Sequence, residues 1–153
     1  MDYIEGLPSK EGGYIRTGAR TPMQWNESKN YGFSDSDNPY LPLDNRKNAP
    51  TISSQINDPL SVLSCVKRMI ALHKKECCLW ADGQLNVLHA DYPFVYERFT
   101  NDKRLFIAVN PSQYEYKLNC PKLLSVYLSQ NVEITDEQIQ MGGISFVVAE
   151  EKE

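Results

Sequence analysis

The chain has 153 residues, of which 41% are hydrophobic and 24% charged, and its formal net charge is −4. That length suffices to bury one ordinary core, and the mild acidity leaves no basic surface for nucleic acid or anionic lipid. No apolar run reaches the ~18 residues of a membrane-spanning helix, and residues 1–20 lack the basic and apolar regions of a signal peptide.

Residues 1–56 are rich in Gly, Pro, Asn, Ser and Asp, without sustained periodicity. In an isolated domain this would be an unusually long loop. The stretch 16–25, RTGARTPMQW, packs two arginines, a Thr-Pro turn, a glutamine and a tryptophan into ten residues. Pro22 fixes its own φ and pushes Thr21 towards extended conformations, so Arg20 and Gln24 sit on a shaped loop rather than a helix. Arg20 is suited to two-pronged pairing with a carboxylate or vicinal hydroxyls, and Trp25 offers a flat face for sugar or packing. The same residues also describe a surface loop pinned by one ion pair and one buried indole.

The one convincing helix is expected over residues 59–76. Asn57 or Asp58 is placed to cap it, and Pro59 suits its first turn. Leu63, Val66 and Ile70 fall on one stripe, with Val62, Cys65, Met69 and Leu72 on the neighbouring one. Lys74 and Lys75 sit at the negative end of the helix dipole. So wide an apolar stripe wants two partners.

From Leu79 onward the period switches to two, and β-formers dominate. Strands are expected over residues 84–89, 94–99, 105–109, 114–118, 123–128 and 144–149. A hairpin at residues 100–103 joins the second to the third, and Gly142-Gly143 reads as a turn into the last. Short, regularly spaced strands of this kind argue for a small antiparallel sandwich. The fold class is therefore mainly β: an antiparallel β-sandwich preceded by one long α-helix and an irregular loop region.

Catalytic and metal-binding groups are sparse. Asp35 and Asp37 form a carboxylate pair, but in a Ser/Asp/Asn loop with no rigid element to place them at sub-ångström precision. His73 and His89 have no partnered nucleophile nearby in sequence. Gly12, Gly13 and Gly18 do not make a phosphate-binding signature. Cys65, Cys77, Cys78 and Cys120 show no zinc-ligand spacing. No catalytic residue, metal or cofactor is expected, and the cysteines read as free thiols in a reducing, cytoplasmic setting.

GARTPMQW, followed by Asn30-Tyr31-Gly32-Phe33 and Asn38-Pro39-Tyr40, resembles the α-amylase superfamily of glycoside hydrolases. The similarity is to the branch of α-glucosidases, oligo-1,6-glucosidases and trehalose synthases. Relatives carry tryptophan where Tyr40 stands. Ile56-Asn57-Asp58-Pro59 with Ser61-Val62-Leu63 resembles the start of the family's last barrel helix, and Ile70-Ala71-Leu72-His73-Lys74 resembles its end, with His73 in place of arginine. Phe94-Val95-Tyr96-Glu97-Arg98 and residues 105–110 with Ser112 resemble two strands of its C-terminal domain.

The resemblance implies residues 1–56 as an irregular region after the last strand of a (β/α)8 barrel. It implies residues 57–78 as the last barrel helix and 79–153 as a C-terminal β-sandwich. It implies the downstream end of an enzyme that cleaves α-glucosidic bonds with retention, by hydrolysis or glucosyl transfer. The family's essential carboxylates lie upstream of the ARTPMQW loop, and their flanking motifs do not occur here, so this chain alone is expected to be inactive. By resemblance Arg20 holds the non-reducing-end glucose, while Gln24 and Trp25 brace the loop or touch sugar. The implied partners are an α-glucoside or maltooligosaccharide and an N-terminal barrel of the same chain, with no nucleic acid and no membrane. The alternatives are a non-catalytic carbohydrate-binding module, with Trp80, Tyr92, Tyr96, Tyr114, Tyr116 and Tyr127 as an aromatic platform, or a purely structural sandwich.

Overall fold

The computed structural model describes residues 10–11, 14–15, 21–39, 41–44, 46, 48–135 and 138–152. Two compact units divide the chain, Met1–Val66 and Lys67–Glu153.

The first unit carries a minimal antiparallel pair, β1 (Lys10–Glu11) and β2 (Tyr14–Ile15). A tight turn at Lys29–Gly32 then places Asn30, Tyr31 and Gly32 at φ 51, 54 and 71°. That left-handed region is natural for Gly32 and tolerable for Asn30, but costs about 1–2 kcal/mol at Tyr31. Side-chain bonds hold the turn: Asn30 Nδ2 donates to the Ser34 and Ser36 carbonyls at 2.8 and 2.6 Å. The short helix α1 (Ile52–Gln55) starts at Thr51, whose Oγ1 accepts from the Ser54 amide at 3.1 Å. Ser54 Oγ reciprocates by accepting from the Thr51 amide at 3.1 Å. Both otherwise orphaned donors are thereby satisfied.

Helix α2 spans Val62–Lys75, shorter at its start than the expected 59–76. Ser61, not Asn57 or Asp58, begins it: its Oγ accepts from the Ser64 amide at 3.2 Å, and its carbonyl accepts from Cys65 at 2.9 Å. Asp58 instead closes a preceding turn by accepting from the Leu60 amide at 2.9 Å, which leaves Pro59 outside the helix. Gln55 joins α1 to this start, since its Oε1 accepts from the Leu63 amide at 3.1 Å.

The second unit is a six-stranded antiparallel sheet: β3 (Gln84–His89), β4 (Phe94–Phe99), β5 (Arg104–Asn110), β6 (Tyr116–Asn119), β7 (Leu123–Ile134) and β8 (Gln138–Glu151). The mainly β, antiparallel fold class is what the alternating pattern implied. The last two strands are far longer than expected. Gly142-Gly143 is not the turn into β8 but a break in register within it, opposite Asn131 in β7. Thr135 and Gln138 bracket the real connection, the Thr135 amide donating to the Gln138 carbonyl at 2.9 Å.

Along one edge β8 pairs with β6 over Gln138–Met141 and with β5 over Ser145–Glu150, while β7 follows the other edge past the break. A bulge bends a strand, so both halves of β8 contribute to one inner face. Ile139 and Met141 from the first half and Val147 and Ala149 from the second bury against Val95, Phe106 and Ala108. Leu105 and Ile107 point to the opposite, outer face, where they pack with Cys78 from a 3-10 turn at Cys77–Leu79.

Two polar ties join the C-terminal end of α2 and its exit to the sheet. Arg98 on β4 donates to the carbonyls of Cys78, Trp80 and Gly83 at 3.1, 2.6 and 3.2 Å. Lys103, in the β4–β5 hairpin, donates to Glu76 Oε2 at 2.7 Å and to the Tyr127 hydroxyl at 2.9 Å. Glu150 lies 3.5 Å from the same ammonium and accepts from the Tyr127 hydroxyl. That hydroxyl, above all, holds the Glu150 carboxyl below its usual range.

Candidate functional site

The loop at Thr21–Trp25 is anchored through its backbone and one side chain. The Gln24 and Trp25 carbonyls accept from the Ile52 and Ser53 amides at 2.9 Å each, covering the first turn of α1. The Trp25 amide donates to the Tyr31 carbonyl at 2.9 Å, tying the loop to the left-handed turn. Gln24 is buried, and its Nε2 donates to the Asp44 carbonyl at 3.0 Å. An amide is suited to that position because a carboxylate at the same place offers no donor.

Asp44 and Arg46 add a charged clamp beside Gln24. Arg46 Nε donates to Asp44 Oδ1 and Oδ2 at 2.8 and 3.0 Å, and its Nη2 reaches Oδ2 as well. This two-pronged geometry holds the Asp44 carboxyl below its usual range. Thr21, Gln24, Asp44, Arg46, Ile52 and Gln55 help line an open cavity of about 390 Å³, the size of a small-ligand pocket. Nothing in the spacing of Asp44, Arg46 or Gln55 marked them beforehand.

Of the three residues proposed from sequence, Gln24 is a buried brace and Trp25 is half exposed on the same loop. Arg20 lies outside the described residues. Asp35 and Asp37 are drawn together by a lysine rather than by an active-site frame: Lys29 Nζ takes the Asp35 carbonyl at 2.8 Å and Asp37 Oδ1 at 2.6 Å. Among the described residues no group of three or more His, Cys, Asp or Glu side chains converges as a metal site. His89 Nδ1 is 2.7 Å from the Pro93 carbonyl. His73 has its carbonyl engaged at 2.8 Å by the Trp80 indole N–H.

The aromatic side chains of the second unit do not share one role. Tyr127 belongs to the Lys103–Glu150 tie, with the Lys103 and Lys75 ammonium groups 5.3 and 5.7 Å from its ring centroid. Tyr96 is half-buried on the outer face, and burial raises its hydroxyl pKa. Trp80, Tyr92 and Tyr114 are exposed, but on three separate connections, so no single strand aligns them.

The family profile described as alpha amylase, catalytic domain, matches residues 7–82, which include the braced loop, α1 and α2. A probable oligo-1,6-glucosidase 2 of Bacillus subtilis (strain 168) is 36% identical over 136 residues, 81% of this chain and 23% of that protein. The chain belongs to the α-amylase family. A glucan 1,6-alpha-glucosidase of Streptococcus pneumoniae serotype 4 is 30% identical over 128 residues, 81% of this chain and 24% of that protein. Among solved structures, isomaltulose synthase from Klebsiella sp. LX3 superposes with a TM-score of 0.79 at 22% identity, over 88% of this chain and 25% of that one. This α-amylase-family chain thus spans about a quarter of the length of the curated relatives it matches. Among its described residues no helix is long and apolar enough to cross a membrane.

Proposed function

We propose that this α-amylase-family chain supplies the sugar-loop region and C-terminal sandwich of an enzyme acting on α-glucosidic bonds. The observation that carries the reading is the 36% identity to the Bacillus subtilis oligo-1,6-glucosidase-type protein, which runs over 81% of the chain. The anchoring of residues 21–25 through Gln24 and Trp25 supports it further, since substrate-positioning groups contribute only when their geometry is fixed in advance.

In this reading Arg20 holds the non-reducing-end glucose, Trp25 borders the sugar and Gln24 maintains the loop. The chain contributes no catalytic carboxylate and is inactive alone, because retaining cleavage requires two carboxyl groups flanking the scissile bond. The covalent glucosyl intermediate passes to water or to a second hydroxyl, and the reaction takes place in the cytoplasm.

The sandwich has a supporting role, favoured over independent sugar binding by the apolar outer face. A groove of about 470 Å³ lies there, lined by Met69, Leu72, Ile107, Val109, Phe146 and Val148 among others. We assign its cover to the upstream barrel of the same enzyme, for exposed apolar surface of this kind is ordinarily an interface.

Incubation of the full-length enzyme with maltose, isomaltose and sucrose tests the proposal through its products. Free glucose means hydrolysis, and a new disaccharide means glucosyl transfer. Inertness towards all α-glucosides refutes it. Arg20→Lys in that enzyme is expected to lower kcat/KM on the order of 10²-fold, the cost of a misplaced positioning group.

A further inference from the structure

The inner face of the sheet ends in a group of polar side chains that neither the hydrophobic core nor the braced loop uses. Asn86 on β3, Glu97 on β4, Arg104 on β5 and Glu151 on β8 meet there. Glu97 is buried and accepts from Asn86 Nδ2 at 3.1 Å and from Arg104 Nη1 at 2.7 Å. Arg104 also stacks over the Phe99 ring at 4.3 Å, which fixes the direction of its guanidinium. Leu105 stands opposite Glu150, and continuing that register brings Arg104 level with Glu151.

One guanidinium therefore stands level with two carboxyl groups and pairs with Glu97. Glu97 already occupies its donors at close range, while Glu151 Oε1 is buried and has no hydrogen-bond partner. A buried carboxylate oxygen without a donor is costly, and a second negative charge against Glu97 adds repulsion that little water relieves. A proton on Glu151 removes both problems, because its O–H then donates to the Glu97 carboxylate beside it.

We propose that Glu151 keeps a proton and donates it to the Glu97 carboxylate, and that this hydrogen bond latches the end of β8 onto the inner face. Burial first, then the Glu97 charge, push the Glu151 carboxyl up to about 7, with Arg104 opposing. Among the described residues, the other groups around the pair carry no competing carboxylate: Asn86 is neutral, β7 presents Leu123 opposite Glu151, and Lys122 and Lys152 meet through the backbone. Cys120, packed against the inner face, has its thiol pKa raised by burial and stays neutral.

The sign follows from linkage. Glu151 binds its proton more tightly folded than unfolded, so its stabilising effect is complete below the unfolded value of 4.5 and is lost as pH rises through about 7. The β7–β8 end, where the Lys152 amide donates to the Lys122 carbonyl at 2.8 Å, is the part released.

Side-chain carboxyl chemical shifts of the intact chain, followed by NMR from acid to neutral pH, test this directly. The Glu151 resonance is expected to titrate with a midpoint near 7, and a midpoint near 4.5 overturns the proposal. Glu97→Gln removes the neighbouring charge and should move that midpoint down; an unmoved midpoint contradicts the hydrogen bond from Glu151 to Glu97. Glu151→Gln keeps a neutral donor in place, so its thermal midpoint should stay level across the window where the parent chain's falls. Parallel falls in the two proteins would equally sink the latch.

Discussion

Gln24 and Thr51 are polar residues buried for opposite ends of one purpose. Gln24 spans twenty residues to the Asp44 carbonyl, and Thr51 fixes the helix start that the loop carbonyls then cover. Thr51→Ala removes the cap and is expected to cost about 1 kcal/mol, read as a lowered denaturation midpoint of the first unit. Gln24→Glu keeps the size but replaces the donor by a charge facing a carbonyl, and should cost more, roughly 2–3 kcal/mol. Fluorescence of Trp25 in a Trp80→Phe background reports both; equal stability of the glutamate variant and the parent would show that the amide does not brace the loop. Sequence alone placed Gln24 and Trp25 on a shaped loop, because proline and tryptophan carry local signals. It did not show that Gln24 turns inward, since the partner is a distant backbone carbonyl with no sequence mark.

Elements were legible where their ends are set locally and illegible where they are set by long-range pairing. Strands β3 and β4 begin and end at the expected residues because turn-forming residues flank both. Helix α2 starts later than expected because Asp58 spends its side chain on a turn and Ser61 takes over as cap. Gly142 and Gly143 mimic a turn signal, yet the chain runs through them as a bulge. A Cβ on Gly143 would lie 2.5 Å from the Gln113 carbonyl oxygen, whereas one on Gly142 would meet the Asn131 side chain at 2.4 Å. A side chain can swing aside and a backbone cannot, so Gly143→Ala should destabilise by about 2 kcal/mol and Gly142→Ala by less. The reverse order in thermal denaturation would contradict the bulge.

The tie between the exit of α2 and the sheet makes a second prediction at this scale. Lys103→Met strands Glu76, whose carboxylate is only 4% exposed, without its main partner. Removing one member of a fully buried pair costs roughly 3–5 kcal/mol; with Lys103 a quarter exposed, about 2 kcal/mol is expected. The double variant Glu76→Met with Lys103→Met should recover most of the loss, and failure to recover would show that the pair is not what is lost. Glu150 adds a pH dependence of ordinary acid sign. Its carboxyl is held below 4.5 in the fold, so its contribution is present above that value and lost as acid takes the pH through its lowered folded value. Tyr127→Phe, which deletes the principal donor, should make the acid limb shallower.

At the scale of the molecule, apolar burial is uneven. Among the described residues the hydrophobic core gathers from Cys78 onward, while the buried positions before it are mostly polar: Gln24, Thr51, Ser61 and Glu76. Amide exchange should therefore be slowest in β4, β5 and the second half of β8 and faster over residues 21–56. Uniform protection across both would contradict this. An apolar groove on the outer face and a braced loop in the other unit fit a chain that spans about a quarter of its relatives' length. The family was legible because GARTPMQW is a local motif. The function of the whole was not, since retaining cleavage needs two precisely placed carboxyl groups and no local motif in the sequence marks such a pair.

A side-by-side assay of glucose release and disaccharide formation from maltose, isomaltose and sucrose, using this chain and the full-length enzyme proposed to contain it, decides most. Turnover is expected from the full-length enzyme and none from this chain. Turnover by this chain alone, or a full-length protein inert towards all three sugars, would contradict the proposed role.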